Sequence, residues 1–270
     1  MVEMQLARRG IEDPYVLGAF QEVPREAFVR PEQETLAYGD TPLPIGHGQT
    51  ISQPYIVAFM LEAAQIRPGD RVLDVGAGSG YSAAIASRIA AQVFAIERHR
   101  PLGEAARDRL RALRYDNAEV RIGDGTEGWS EAAPFDVILI AAGGIEVPSA
   151  LKRQLAVGGR LIMPVGDPST YQMLRRIVRR EDGGFTEEDL LPVQFVPLIA
   201  ESAAADAPAV APPSARLEAL PLPAAIAAVA EPLGNPADPD FSAAFDRFGD
   251  CRIVLLGEAS HGTSEFYRAR

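Results

Sequence analysis

Three glycines and two acids are the first residues in this sequence with chemistry to offer. Val72-Leu-Asp-Val-Gly-Ala-Gly-Ser-Gly-Tyr81 places Gly76, Gly78 and Gly80 at G-x-G-x-G spacing between an apolar run and a helical one. Glycine suits a sharp strand-to-helix turn at which a ligand must come close to the backbone. The helix beyond it offers N–H groups to an anion, such as the carboxylate of an amino-acid ligand. Glu97 stands 21 residues after Gly76, at the end of the next apolar run, where an acid accepts hydrogen bonds from both ribose hydroxyls. Asp124, in Gly123-Asp-Gly125, follows the third run and can meet the exocyclic amine of adenine. Together they suit an adenosine-type ligand. A nicotinamide dinucleotide fits less well, because its G-x-G-x-x-G fingerprint needs glycine where Tyr81 stands. The competing reading is a surface-turn glycine cluster with two solvated acids.

The elements that must position these residues are legible around them. Residues 1–40 read as helical, with Val16, Leu17, Phe20 and Val23 at helical spacing before Pro24. Residues 41–53, TPLPIGHGQTISQ, read as a loop with little regular structure. A helix follows from Ser52-Gln-Pro to about Ala64. Strands are then expected at Arg71–Val75, Gln92–Glu97, Ala118–Ile122, Phe135–Ala141 and Gly159–Pro164. Helices are expected at Gly80–Ala90, Pro101–Leu113 and Pro148–Leu155. Two longer β segments, around Met173–Arg180 and Leu191–Leu198, close the domain. This alternation implies an α/β fold: a doubly wound, mostly parallel sheet with an N-terminal helical extension.

Composition narrows the function. The 270 residues carry a net charge of -11, which argues against a broad basic surface for nucleic acid. A single cysteine, Cys251, excludes an internal disulfide, and no Cys/His cluster has zinc spacing, so no metal is expected. The N-terminus lacks an apolar signal core, and no apolar run is long enough to span a bilayer, so a cytoplasmic protein without a membrane partner is expected.

A longer segment is more specific. Tyr38-Gly-Asp-Thr-Pro-Leu-Pro-Ile-Gly-His-Gly-Gln-Thr-Ile-Ser-Gln-Pro54 resembles the signature loop of protein-L-isoaspartate O-methyltransferases. Val23-Pro-Arg-Glu-Ala-Phe-Val29, the glycine turn, Gly123-Asp-Gly125, Phe135-Asp136, Pro164-Val-Gly166 and Gln194–Leu198 fall in the family's order. The resemblance covers about residues 1–200. It implies a class I S-adenosylmethionine-dependent methyltransferase of Rossmann-like fold. Its substrates would be isoaspartyl-containing proteins and peptides, methylated on the α-carboxylate to start repair through a succinimide. The family's active-site serine matches Ser52, with Thr50, Ile51 and Gln53 beside it in the substrate loop. Gly76, Ala77, Gly78, Ser79, Gly80, Tyr81, Glu97, Asp124 and Gly125 would hold S-adenosyl-L-methionine.

Several of these residues carry a plainer alternative. Ser52 in Ser-Gln-Pro is also an ordinary helix N-cap. His47 is tempting as a base, but a histidine between glycines is more often a solvated or backbone-fitting residue. Thr50 can simply satisfy a turn, and Asp40 can bind substrate or only stabilise the loop. Tyr81 can pack under the cofactor or cap a helix. Where relatives often have Ala-Ala-Pro-Pro after the fourth strand, this chain has Ala141-Ala-Gly-Gly-Ile-Glu-Val-Pro148, and two glycines imply a more flexible loop. The rival functions are another methyltransferase of the same fold, acting on RNA or a small molecule, and a non-catalytic cofactor-binding or interaction module fused to an esterase-like domain.

Composition shifts after Leu198. Residues 201–215 read as an Ala/Pro-rich linker. Within 216–270, Ile253-Val-Leu-Leu-Gly-Glu-Ala-Ser-His-Gly-Thr-Ser-Glu-Phe266 resembles the opening of erythromycin-esterase-like proteins, with Glu258 and His261 at that family's motif. This would be an incomplete, truncated N-terminal fragment of such a domain, and no hydrolase activity is expected of it.

Overall fold

A computed structural model describes residues 1–167 and 171–200. The expected linker at 201–215 and the fragment at 216–270, with Cys251, Glu258 and His261, lie outside the described residues. In chain order the elements are α1 (Pro14–Glu22), β1 (Leu43–Gly46), β2 (Gln49–Ile51), α2 (Pro54–Ala63), β3 (Arg71–Val75), α3 (Tyr81–Ser87) and β4 (Gln92–Glu97). There follow α4 (Arg100–Ala112), β5 (Ala118–Ile122), β6 (Phe135–Ile140), α5 (Ser149–Gln154), β7 (Leu155–Asp167), β8 (Tyr171–Arg179) and β9 (Phe185–Val193).

Seven strands form one sheet in the order β5-β4-β3-β6-β7-β8-β9. The strands from β5 to β7 run parallel, and β8 and β9 are antiparallel additions. Strand order reverses between β3 and β6. In such sheets ligands bind beyond the carboxyl ends of the strands at this switch point, and the glycine turn after β3 lies there.

Helices cover both faces, so the central strands are apolar on both sides, as in Phe135–Ile140. On one face Val72, Val93 and Val137 pack with Phe20, Leu61, Ile85 and Leu110; on the other Leu73, Phe94 and Ile138 pack with Leu151, Leu161 and Ile177. Helix α4 buries Leu102, Ala106 and Leu110, a single stripe at four-residue spacing. Helix α1 starts where the Asp13 carboxylate accepts from Tyr15 N and Val16 N, with Pro14 in the first turn. Among the described residues no helix is long and apolar enough to cross a membrane.

Three expectations need correction. Residues 41–53 are not an irregular loop: β1 and β2 pair as a hairpin, Leu43 opposite Ile51 and Pro44 opposite Thr50. The last strand runs from Phe185 to Val193 rather than Leu191–Leu198. Beyond it, the Gly143–Gly144 loop is pinned, not flexible. Gly143 N donates to Val196 O at 2.8 Å and Leu198 N to Gly143 O at 2.7 Å, while Gly144 N donates to Pro164 O and Gly144 O accepts from Gly166 N.

The reason for glycine at 143 is a close approach. A Cβ there would stand 2.0 Å from Gln172 Nε2. That side chain cannot swing away, because Gln172 is 1% exposed and its Oε1 accepts from Phe195 N at 2.7 Å. Gly143→Ala should therefore destabilise the fold by about 2 kcal/mol through overpacking. A urea titration checks this, and an unchanged midpoint would show that the contact is slack.

Candidate functional site

The residues expected to hold the cofactor are built on the ends of β3 and β4. Gly76 N and Ala77 N both donate to the Ile96 carbonyl, at 2.9 and 3.0 Å. The turn between them and α3 needs left-handed backbone: Gly76, Gly78 and Gly80 have φ of 90°, 54° and 87°. Glu97 is only 4% exposed, and its carboxylate accepts from Gly78 N and from His99 N, both at 2.8 Å. The acid thus holds the turn as well as ending the strand. Ser79 presents its carbonyl to Arg109 Nη1 at 2.8 Å.

Asp124 comes to the same edge. Glu97 pairs with Ile122 in the β4–β5 register, and Gly123 N donates to Glu97 O at 3.0 Å. The Asp124 carboxylate accepts from Thr126 N and Thr126 Oγ1, which shapes the turn around Gly125. Gly125 packs directly on Val75 at the end of β3.

Tyr81 departs from expectation. Its side chain is 2% exposed and lies in the core, edge-on to Phe20 and Phe28 with ring centroids at 6.0 and 5.4 Å. Burial raises its pKa. Only its backbone remains available to a cofactor.

The residues expected to meet the substrate lie in the hairpin and just after it. Gly46, His47 and Gly48 at its tip have φ of 102°, 53° and 69°. Ile45 reaches the glycine turn: a Cβ on Gly78 would stand 3.1 Å from Ile45 Cδ1. The His47 ring stacks on His99, centroids 5.8 Å apart, which accounts for its place without a proton-transfer role. The hairpin therefore lies over the turn and delivers Ser52 immediately after β2.

Ser52 does not cap α2. The helix N-cap is Gln53, and Asp40 satisfies this end instead, accepting from Tyr55 N at 3.0 Å and Gln53 Nε2 at 2.7 Å, with Arg9 paired to the same carboxylate. Asp40 is thus a loop-stabilising residue. Among the described residues the Ser52 hydroxyl has no hydrogen-bond partner. Thr50 is exposed and Ile51 buried.

Two groups escaped the sequence reading. Arg25 is fully buried beneath Ser52. Asp74 in β3 is 0% exposed, with Oδ1 accepting from Ser82 Oγ at 3.3 Å and Oδ2 without a partner among the described residues. Its signal was an acid inside the apolar run Val72–Val75. Burial, reinforced by the nearby charge of Glu97, pushes its carboxyl up to about 7.

The family profile described as protein-L-isoaspartate(D-aspartate) O-methyltransferase matches residues 1–203. The chain belongs to that family. It is 59% identical over 206 residues to the protein-L-isoaspartate O-methyltransferase of Methylorubrum extorquens, covering 76% of this chain and 90% of that one. Protein-L-isoaspartate O-methyltransferase 1 of Rhodopseudomonas palustris is 53% identical over 201 residues, 74% of this chain and 82% of the relative. A Plasmodium falciparum structure described as a protein-L-isoaspartate O-methyltransferase with S-adenosyl-L-homocysteine superposes with a TM-score of 0.64. It is 28% identical, over 73% of this chain and 96% of that one. The family match stops at 203, short of residues 216–270.

In this isoaspartyl methyltransferase family member, Asp74 gives a pH signature. Its folded pKa of about 7 lies above its ordinary 3.8. The native state then binds more protons than the unfolded chain between these values, so stability falls as pH rises through the window and the full penalty is present above about 7. Asp74→Asn should raise the melting temperature of the ligand-free protein at pH 8, by up to roughly 4 kcal/mol in stability. The advantage should shrink as pH is lowered towards 5. Calorimetric melts across pH test this; a pH-independent difference would refute it.

Proposed function

We propose that the chain methylates the α-carboxylate of L-isoaspartyl residues in damaged proteins and peptides, with S-adenosyl-L-methionine as donor. The activity is assigned to residues 1–200. The observation that carries the reading is one arrangement: a glycine turn tied to Glu97, the Leu43–Ile51 hairpin laid over it, and a serine hydroxyl with no partner among the described residues just beyond.

The residues present fit the donor. When bound, it supplies an electrophilic methyl group on a sulfonium. The Oδ2 of Asp74, unpartnered among the described residues, suits a ligand that carries positive charge, and the left-handed backbone at Gly76, Gly78 and Gly80 makes the sharp turn at which a ligand can approach the main chain. Glu97 would take the ribose hydroxyls, Asp124 with Gly125 would take the adenine amine, and Ala77, Ser79 and the Tyr81 backbone would complete the cradle.

The acceptor needs little activation. A carboxyl group of ordinary pKa, about 4, is already an anion near neutral pH. The chain therefore needs no general base. Its task is to hold a carboxylate oxygen in line with the methyl carbon, and such alignment supplies roughly 7–11 kcal/mol at best. Ser52 Oγ donates a hydrogen bond to the carboxylate, and Thr50, Ile51 and Gln53 shape the loop that receives the peptide. Esterification turns a poor leaving group into methoxide. The following backbone amide nitrogen can then attack, closing a succinimide that reopens in part to normal aspartate.

Transfer of labelled methyl to an isoaspartyl peptide and to its aspartyl twin tests the proposal. Base-labile label on the first peptide alone is expected; equal labelling of both, or none, would reject it. Ser52→Ala should leave S-adenosylhomocysteine affinity within about 2-fold and lower kcat roughly 10–100-fold, the worth of a hydrogen bond to a charged group. Unaltered kcat would remove Ser52 from the mechanism.

A further inference from the structure

Arg25 sits in Val23-Pro-Arg-Glu-Ala-Phe-Val29, a segment that the proposed chemistry leaves unused. It is 0% exposed. Its Nε donates to the Ala37 carbonyl at 2.8 Å and its Nη2 to the Ser52 carbonyl at 2.9 Å. Its guanidinium carbon lies 4.8 Å from the centre of the Tyr81 ring. Among the described residues it has no ion pair, and Nη1 has no hydrogen-bond partner. A buried cation with one orphaned nitrogen is an expensive filler, and an apolar side chain of similar size would serve packing at lower cost. A guanidinium provides what that residue cannot: rigid N–H donors at fixed angles together with a flat face for an aromatic ring.

Two of these three contacts, to Ser52 and to Tyr81, lead to the site. Ser52 carries the free hydroxyl of the substrate loop, and Tyr81 is the first residue of α3, directly after Gly80 of the cofactor turn. One planar group thus touches both halves of the site.

We infer that Arg25 is a positioning residue for methyl transfer, its guanidinium fixing the Ser52 main chain against Tyr81 so that hydroxyl and glycine turn keep one relative placement. The inference rests on the function proposed above, and it separates from it experimentally. Lysine keeps the charge but presents a point donor instead of a fork. In the full chain, Arg25→Lys should lower kcat on an isoaspartyl peptide by at least about 10-fold, the scale of a sub-ångström misplacement. Calorimetric affinity for S-adenosylhomocysteine should stay within about 3-fold, since the glycine turn is held by the Ile96 carbonyl and the Glu97 carboxylate and not by Arg25. In a Ser52→Ala background the same substitution should change kcat by no more than about 2–3-fold, because residues acting as one unit are not additive.

Losses that multiply across the two substitutions would overturn the inference, as would an unchanged kcat or a parallel fall in cofactor affinity. Arg25→Gln, which has no charge to bury, carries the same cycle if the lysine variant is insoluble. If neither folds, Arg25 is scaffold alone and the inference fails. No turnover by the unsubstituted chain would defeat the proposed function together with this inference, whereas turnover with multiplying losses would defeat this inference only.

Discussion

The carboxyl end of β4 is the constraint on which the site depends. Two backbone N–H groups of the glycine turn converge on the carbonyl of Ile96, and the next residue, Glu97, sends its carboxylate back to a third at Gly78. Buried backbone donors need partners, and here a neighbouring strand supplies them. The turn is therefore set by β4 and not by its own sequence alone. With the turn set, Ile45 has a flat surface to cover, the hairpin has a place to rest, and Ser52 emerges at a defined point. Loss of the Glu97 contact would loosen both sides of the site together.

Most of the α/β architecture, and the placement of the residues expected to hold the cofactor, were legible because their determinants are local. A glycine turn between a strand and a helix, with acids at the next two strand ends, can be read by counting residues. The substrate half was legible in its residues but not in its shape. Strands of four and three residues are too short for alternation to show, Pro44 sits inside the first, and the tip takes three consecutive positive φ angles, one at a histidine. The capping role open to Ser52 went to Asp40, twelve residues earlier, through a contact that only the folded chain creates. Arg25 stood in a recognisable segment, but its role had no readable signature, since its hydrogen-bond partners are main-chain carbonyls.

The edge of the sheet taught a similar lesson. Strand β9 carries Glu187, Glu188 and Asp189 where a core strand would carry apolar residues, which hid its early start. It is an edge strand, and its acids face arginines: Arg175 pairs with Asp189 and Glu187, and Arg176 with Glu188. Charge on an edge strand also discourages pairing with other chains. The Gly143–Gly144 loop, which composition made look loose, is held by contacts from Val196, Leu198 and Pro164 and crowded by Gln172.

The chemistry that emerges is one of placement. A donor that is already activated and an acceptor that is already ionised leave the protein the work of aligning them, with Glu97 as the organising group. Titration calorimetry with S-adenosylhomocysteine on the unsubstituted chain and on Glu97→Gln tests that claim most directly. The account predicts one-site binding that Glu97→Gln weakens by at least about 10-fold, the cost of hydrogen bonds lost by a charged acceptor. Equal affinity in the two proteins, or no binding to the unsubstituted chain, would contradict it.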